Sequence, residues 1–99
     1  MQAGIEIPKD KVAEFCRRNR IRKLLFFGSV LRGDFRADSD VDVLVEFQSG
    51  HTPGLAFFAM QRELSDILGR KADLNTADDL SPYFKQEVLN EAEVVYVAA

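Results

Sequence analysis

The chain has 99 residues, 46% of them apolar and 29% charged, with a net charge of −3 and a single cysteine, Cys16. This length supports one packed domain, expected over residues 1–99, and leaves too little chain for a second core. One cysteine excludes an internal disulfide framework, no Cys/His set offers a zinc site, and the acidic balance argues against direct nucleic-acid binding.

No leader-like apolar stretch follows Met1 and no run approaches ~20 apolar residues, so the expected location is the cytoplasm, with no membrane partner. Pro8 suits a first helical turn, and Val12, Phe15 and Cys16 share one face at helical spacing, which predicts a helix from about Pro8 to Arg18. Arg17, Arg18, Arg20, Arg22 and Lys23 form a basic cluster, best read as a solvated helix end whose cations offset the C-terminal dipole. Ile21 to Phe27 is short, apolar and bounded by Gly28, the pattern of a buried strand. Ser29 can cap a short helix over about Val30 to Gly33. Val41, Val43, Val45 and Phe47 then alternate with Asp40, Asp42, Leu44 and Glu46 at the period of a strand.

Gln48 to Gly54 has turn chemistry. Leu55, Phe57, Phe58, Met60, Leu64, Ile67 and Leu68 predict a helix with a wide apolar face, ended by Gly69. Lys71 to Thr76 is a third strand candidate, Pro82 to Asn90 a last helix opened by Ser81, and Val94 to Val97 a closing strand. The expected class is α/β (α+β), a small mixed sheet flanked by helices.

The chemistry is concentrated between Gly28 and Phe47. Gly28-Ser29 is followed by ten residues and then Asp40-Val41-Asp42. Residues two apart on a strand share a face, so Asp40 and Asp42 present their carboxylates together. At about 5 Å and an effective dielectric near 20, such a pair repels by roughly 3 kcal/mol. Oxygen-bound Mg²⁺ is the usual offset, held by one or two carboxylates plus substrate phosphates. Gly28-Ser29 sits at a strand-to-helix turn, where backbone N–H groups and a hydroxyl make an anion site that a Cβ would obstruct. A phosphate cradle beside a cation pair suits in-line displacement on a triphosphate. Asp73, between Ala72 and Leu74 in the third strand candidate, is either a third metal-side carboxylate that helps deprotonate a nucleophile or a plain surface acid. Arg32 either contacts a phosphate or pairs with Asp34 or Asp38. Arg36 is a weaker candidate of the same kind. Ser39 reads as a turn residue, His51 as a solvated loop residue and Cys16 as a small buried apolar group.

Gly28-Ser29, Arg32-Gly33, Ser39-Asp40-Val41-Asp42 and Asp73 closely resemble the minimal nucleotidyltransferase (MNT) domain of the DNA polymerase β-like superfamily, over essentially the whole chain. The resemblance implies that Gly28 and Ser29, with Arg32 as a further candidate, bind the triphosphate of ATP. It further implies that Asp40, Asp42 and Asp73 form a two-metal Mg²⁺ triad, and that a nucleotide is transferred with release of pyrophosphate. It also implies a partner: stand-alone MNT proteins accompany a helical HEPN toxin and act as antitoxins that adenylylate a toxin tyrosine. Two other functions compete. One is a non-catalytic antitoxin that covers its toxin stoichiometrically. The other is an aminoglycoside-like enzyme acting on small hydroxyl compounds, whose relatives carry an extra helical domain.

Overall fold

The computed structural model describes residues 7–28, 40–50, 53–76 and 81–98, apart from the side chain of Phe84. Its elements run α1 (Lys9–Arg18), β1 (Ile21–Phe27), β2 (Val41–Phe47), α2 (Ala56–Leu68), β3 (Ala72–Thr76), α3 (Pro82–Glu91) and β4 (Glu93–Val97). The four strands form one mixed sheet in the order β3-β2-β1-β4. β1 is antiparallel to both β2 and β4, and β2 is parallel to β3. A parallel pair needs a crossover, and α2 supplies it between β2 and β3. The expected class is therefore what the chain adopts.

Two apolar layers flank the sheet. On one side, Leu24, Phe26, Val41, Val43, Val45, Ala72 and Leu74 pack with Val12, Phe15 and Cys16 of α1 and Met60, Leu64 and Leu68 of α2. On the other, Leu25, Phe27 and Leu44 meet Val88 of α3 in a much smaller cluster. Val88 is the one buried side chain described on α3. α1 follows the expected logic: Asp10 lies in its first turn, Arg17 and Arg18 in its last, and the Asn19 side chain donates to Phe15 O at 2.8 Å. The basic cluster is partly absorbed in ion pairs. Arg18 bridges to Glu63 of α2 and to Glu14, and Arg22 reaches Glu46 across the β1–β2 pair at 2.6 Å.

The apolar face expected of α2 is narrower than the sequence suggested. Met60, Leu64 and Leu68 are buried at spacings of four, while Leu55 and Phe58 are 85% and 67% exposed. Leu55 precedes the first helical residue, and Phe58, two residues before Met60, sits about 200° around the axis from it. Gly69 ends the helix as expected, in a left-handed conformation (φ 72°) with its N–H on Ser65 O. The short helix expected over Val30 to Gly33 lies outside the described residues.

Cys16 is fully buried, and that burial pushes its thiol up to about 12 from 9.0, against a smaller opposing effect of Arg17. The folded state thus holds the thiol neutral where an unfolded chain would ionise it. Its contribution to stability is present below pH 9 and is lost as pH rises towards 12. Urea melts between pH 8 and 11 are expected to show a steeper alkaline fall for the native chain than for Cys16→Ala, and a thiol reagent at pH 8 should label only unfolded protein.

Candidate active site

The second face of the sheet carries the polar chemistry. In β2, Val41 and Val43 enter the large core, so Asp42 between them turns to the opposite face, where it is half-buried. Asp42 stands opposite Phe27, the last residue of β1, in the antiparallel ladder. Gly28 follows directly, with φ 77°. A Cβ on Gly28 would collide with Asp42 Oδ2 and lie 3.2 Å from Asp42 Cγ. Glycine is therefore required here twice, for its backbone conformation and for the carboxylate packed against it. The bare Cα of Gly28 admits the Asp42 carboxylate.

Asp73 lies on the same face. Ala72 and Leu74 are buried in the core, and Asp73 between them is exposed, so it does not interrupt the apolar layer. The parallel register sets Asp42 beside Asp73 on neighbouring strands, about 4.8 Å apart along the hydrogen-bonding direction. Asn75, two residues on, donates from Nδ2 to Asp73 O at 3.1 Å. Asp40 sits one residue before β2 and is exposed, and its Oδ2 is 3.7 Å from Nζ of Lys71, the residue before β3. Gly28, Asp42 and Asp73 are thus gathered at the C-terminal end of β1 and the N-terminal ends of β2 and β3. Ser29 and Arg32 lie outside the described residues, as do Arg36, Ser39 and His51.

Side-by-side carboxylates on adjacent strands repel. Among the described residues no Lys or Arg pairs with Asp73, and no three acidic, His or Cys side chains converge as a ready metal cage. All-oxygen donors in this number fit Mg²⁺, which dehydrates reluctantly and is held by one or two carboxylates while phosphates and water complete its shell. They do not fit a closed structural site such as that of zinc. The arrangement suits a cation that arrives with a polyphosphate.

Residues 10–99 match the family model described as Polymerase beta, Nucleotidyltransferase. The chain belongs to this nucleotidyltransferase family. It is 38% identical over 85 residues to the protein adenylyltransferase MntA of Thermococcus cleftensis, covering 85% of this chain and 82% of the relative. Among solved structures, one provisionally described as a minimal nucleotidyltransferase aligns at a TM-score of 0.72 and 35% identity over 86% of each chain. A toxin–antitoxin crystal structure with AMP-PNP has the same fold, with a TM-score of 0.75 and 20% identity over 93% of this chain and 75% of the matched one. So does a complex of tri-AMPylated Shewanella oneidensis HEPN toxin with MNT antitoxin, at a TM-score of 0.67 and 20% identity over 91% of this chain and 70% of the other.

Around the carboxylates of this nucleotidyltransferase lie residues that sequence reasoning did not single out. Lys71 pairs with Asp40, and Gln61 and Ser65 of α2 bond the backbone of β3 on either side of Asp73. One signal was available for the last two. They are polar residues four apart, immediately after Met60 and Leu64 on the core-facing side of α2.

Proposed function

We propose that this nucleotidyltransferase moves AMP from ATP, with Mg²⁺, onto a hydroxyl group, and that the acceptor is a tyrosine of a partner HEPN toxin which the chain thereby neutralises. The observation that carries the reading is the packing of Asp42 against the side-chain-free Gly28 with Asp73 in register beside it. Relatives point the same way. MntA of Thermococcus cleftensis is named a protein adenylyltransferase, and a fold neighbour was solved beside an AMPylated HEPN toxin.

In this reading the Gly28-Ser29 turn holds the triphosphate, with Arg32 as a further phosphate contact. Asp40, Asp42 and Asp73 hold Mg²⁺, which when bound neutralises the phosphates and stabilises the charge that builds up as the oxygens exchange. The acceptor oxygen forms a bond to the α-phosphorus, the bond from that phosphorus to the bridging oxygen breaks, and pyrophosphate leaves. Asp73, exposed on the open face of β3, takes the proton of the attacking hydroxyl. The exposed position of Asp73 suits an acceptor delivered by another chain.

The test uses the purified chain, ATP, Mg²⁺ and a candidate HEPN partner protein, followed by intact mass. A gain of one or more adenylyl units on the partner, lost when its tyrosine becomes phenylalanine, is the expected result. If the partner is silenced without any mass gain, and equally by an Asp40→Ala, Asp42→Ala variant, the chain is a stoichiometric cover and the enzymatic reading is wrong.

A further inference from the structure

We infer that Gln61 and Ser65 are positioning residues for Asp73. The inference rests on the reading of Asp73 as a carboxylate of the transfer site. Among the described residues β3 is an edge strand, paired only with β2. Val41 N–H donates to Lys71 O at 2.9 Å, so odd-numbered residues of β3 turn their backbone groups toward β2 and even-numbered ones turn outward. The outward N–H groups of Ala72 and Leu74 would be left open at the sheet edge, but α2 takes both. Ser65 Oγ accepts from Ala72 N–H at 2.9 Å and Gln61 Oε1 accepts from Leu74 N–H at 2.9 Å. Ser65 Oγ in turn donates to Gln61 O at 2.8 Å, so the serine hydroxyl is spent in both directions.

The spacing is a register match. Four residues of helix advance about 6 Å and two residues of strand about 6.6 Å, so one turn of α2 lies along one repeat of β3. The two run in opposite directions, since Gln61 meets Leu74 and Ser65 meets Ala72. Asp73 is the residue between the two clamped amides. Its own backbone bonds inward to β2 and its carboxylate rises on the far side of the sheet from the core. A strand held along both edges has little freedom to slide or twist, whereas an edge strand held along one has more. The clamp therefore fixes where the Asp73 carboxylate stands relative to Asp42, without touching substrate.

Outer partners of metal-ligating residues, the role proposed for Asp73, typically matter by 10–100-fold. Gln61→Met keeps the length of the side chain and removes its oxygen. In the folded variant kcat for pyrophosphate release from MgATP, with the acceptor protein present, is expected to fall about 10–100-fold. The KM for ATP should change less than kcat, because Gly28 follows the end of β1, two strands from β3. Gln61→Glu retains the accepting oxygen and should restore kcat to within a few-fold of wild type. The amide proton of Leu74 should exchange faster in Gln61→Met and not in Gln61→Glu. Ser65→Ala and Ser65→Thr give the same contrast at Ala72, and stand in if Gln61→Met does not fold. A Gln61→Met enzyme with wild-type kcat overturns the inference, as does an equal loss in Gln61→Glu. Wild-type kcat in Asp73→Asn would instead overturn the role of Asp73 itself.

Discussion

Asp42→Asn is expected to cut nucleotidyl transfer by on the order of 10²–10³-fold, the cost of losing one preorganised group that stabilises transition-state charge, here by holding the cation, while the fold survives intact. The substitution is nearly isosteric, so the packing of residue 42 against Gly28 is kept and the antiparallel pairing with Phe27 is untouched. What changes is charge. Asp42 and Asp73 are lateral neighbours in the parallel register, and without a cation their carboxylates disfavour each other. Asp73 is exposed, so solvent screens much of that repulsion, and the gain on removing it is modest. Thermal melts without Mg²⁺ should place the variant close to wild type. With ATP and Mg²⁺ together, wild type should gain stability and the variant should gain far less, since only a ligand bound to the folded state raises the melting temperature. Full transfer activity in Asp42→Asn would remove this carboxylate from the mechanism. A normal Mg²⁺-dependent stabilisation in the variant would move the metal elsewhere.

How much of this was legible beforehand depended on whether the signal was local. The alternation Val41, Asp42, Val43 announces a strand with an acid on its open face, and β2 has that form. The same period in Ala72, Asp73, Leu74 places a second acid, and the helix faces of Val12, Phe15, Cys16 and of Met60, Leu64, Leu68 follow from spacings of three and four. Strand order is not local. Nothing in EVVYV says that β4 pairs with β1, or that β3 lies outside β2, yet that order alone makes β3 an edge in need of Gln61 and Ser65. The Lys71–Asp40 pair has the same origin, because the two residues meet only where parallel strands begin side by side. Leu55 and Phe58 misled for a different reason. Hydrophobicity counted them into a face that the helix start and the 100° step exclude.

Gly28→Ala should damage both stability and activity, and the two losses share one cause that a double-mutant cycle can isolate. Alanine at φ 77° costs about 1–2 kcal/mol in backbone strain alone. Its methyl would also meet Asp42 Oδ2, with Asp42 Cγ at 3.2 Å and Asp42 Cβ at 3.5 Å, so the carboxylate has to swing away or the strand end has to shift. Either response typically costs a further 1–3 kcal/mol in a packed setting, and either displaces the carboxylate from its place beside Asp73. A misplacement near 1 Å can cost roughly 10²-fold in rate. In an Asp42→Ala background the obstacle is gone and only the backbone strain remains. Denaturant melts of the four proteins in the cycle should therefore show a coupling of about 0.5–3 kcal/mol, the double variant being more stable than the sum of the singles implies. Additive losses would mean that in solution the Asp42 side chain does not lie over Gly28. The turn would then keep its glycine for backbone conformation and the polyphosphate alone, and Asp42 would reach its cation from another direction.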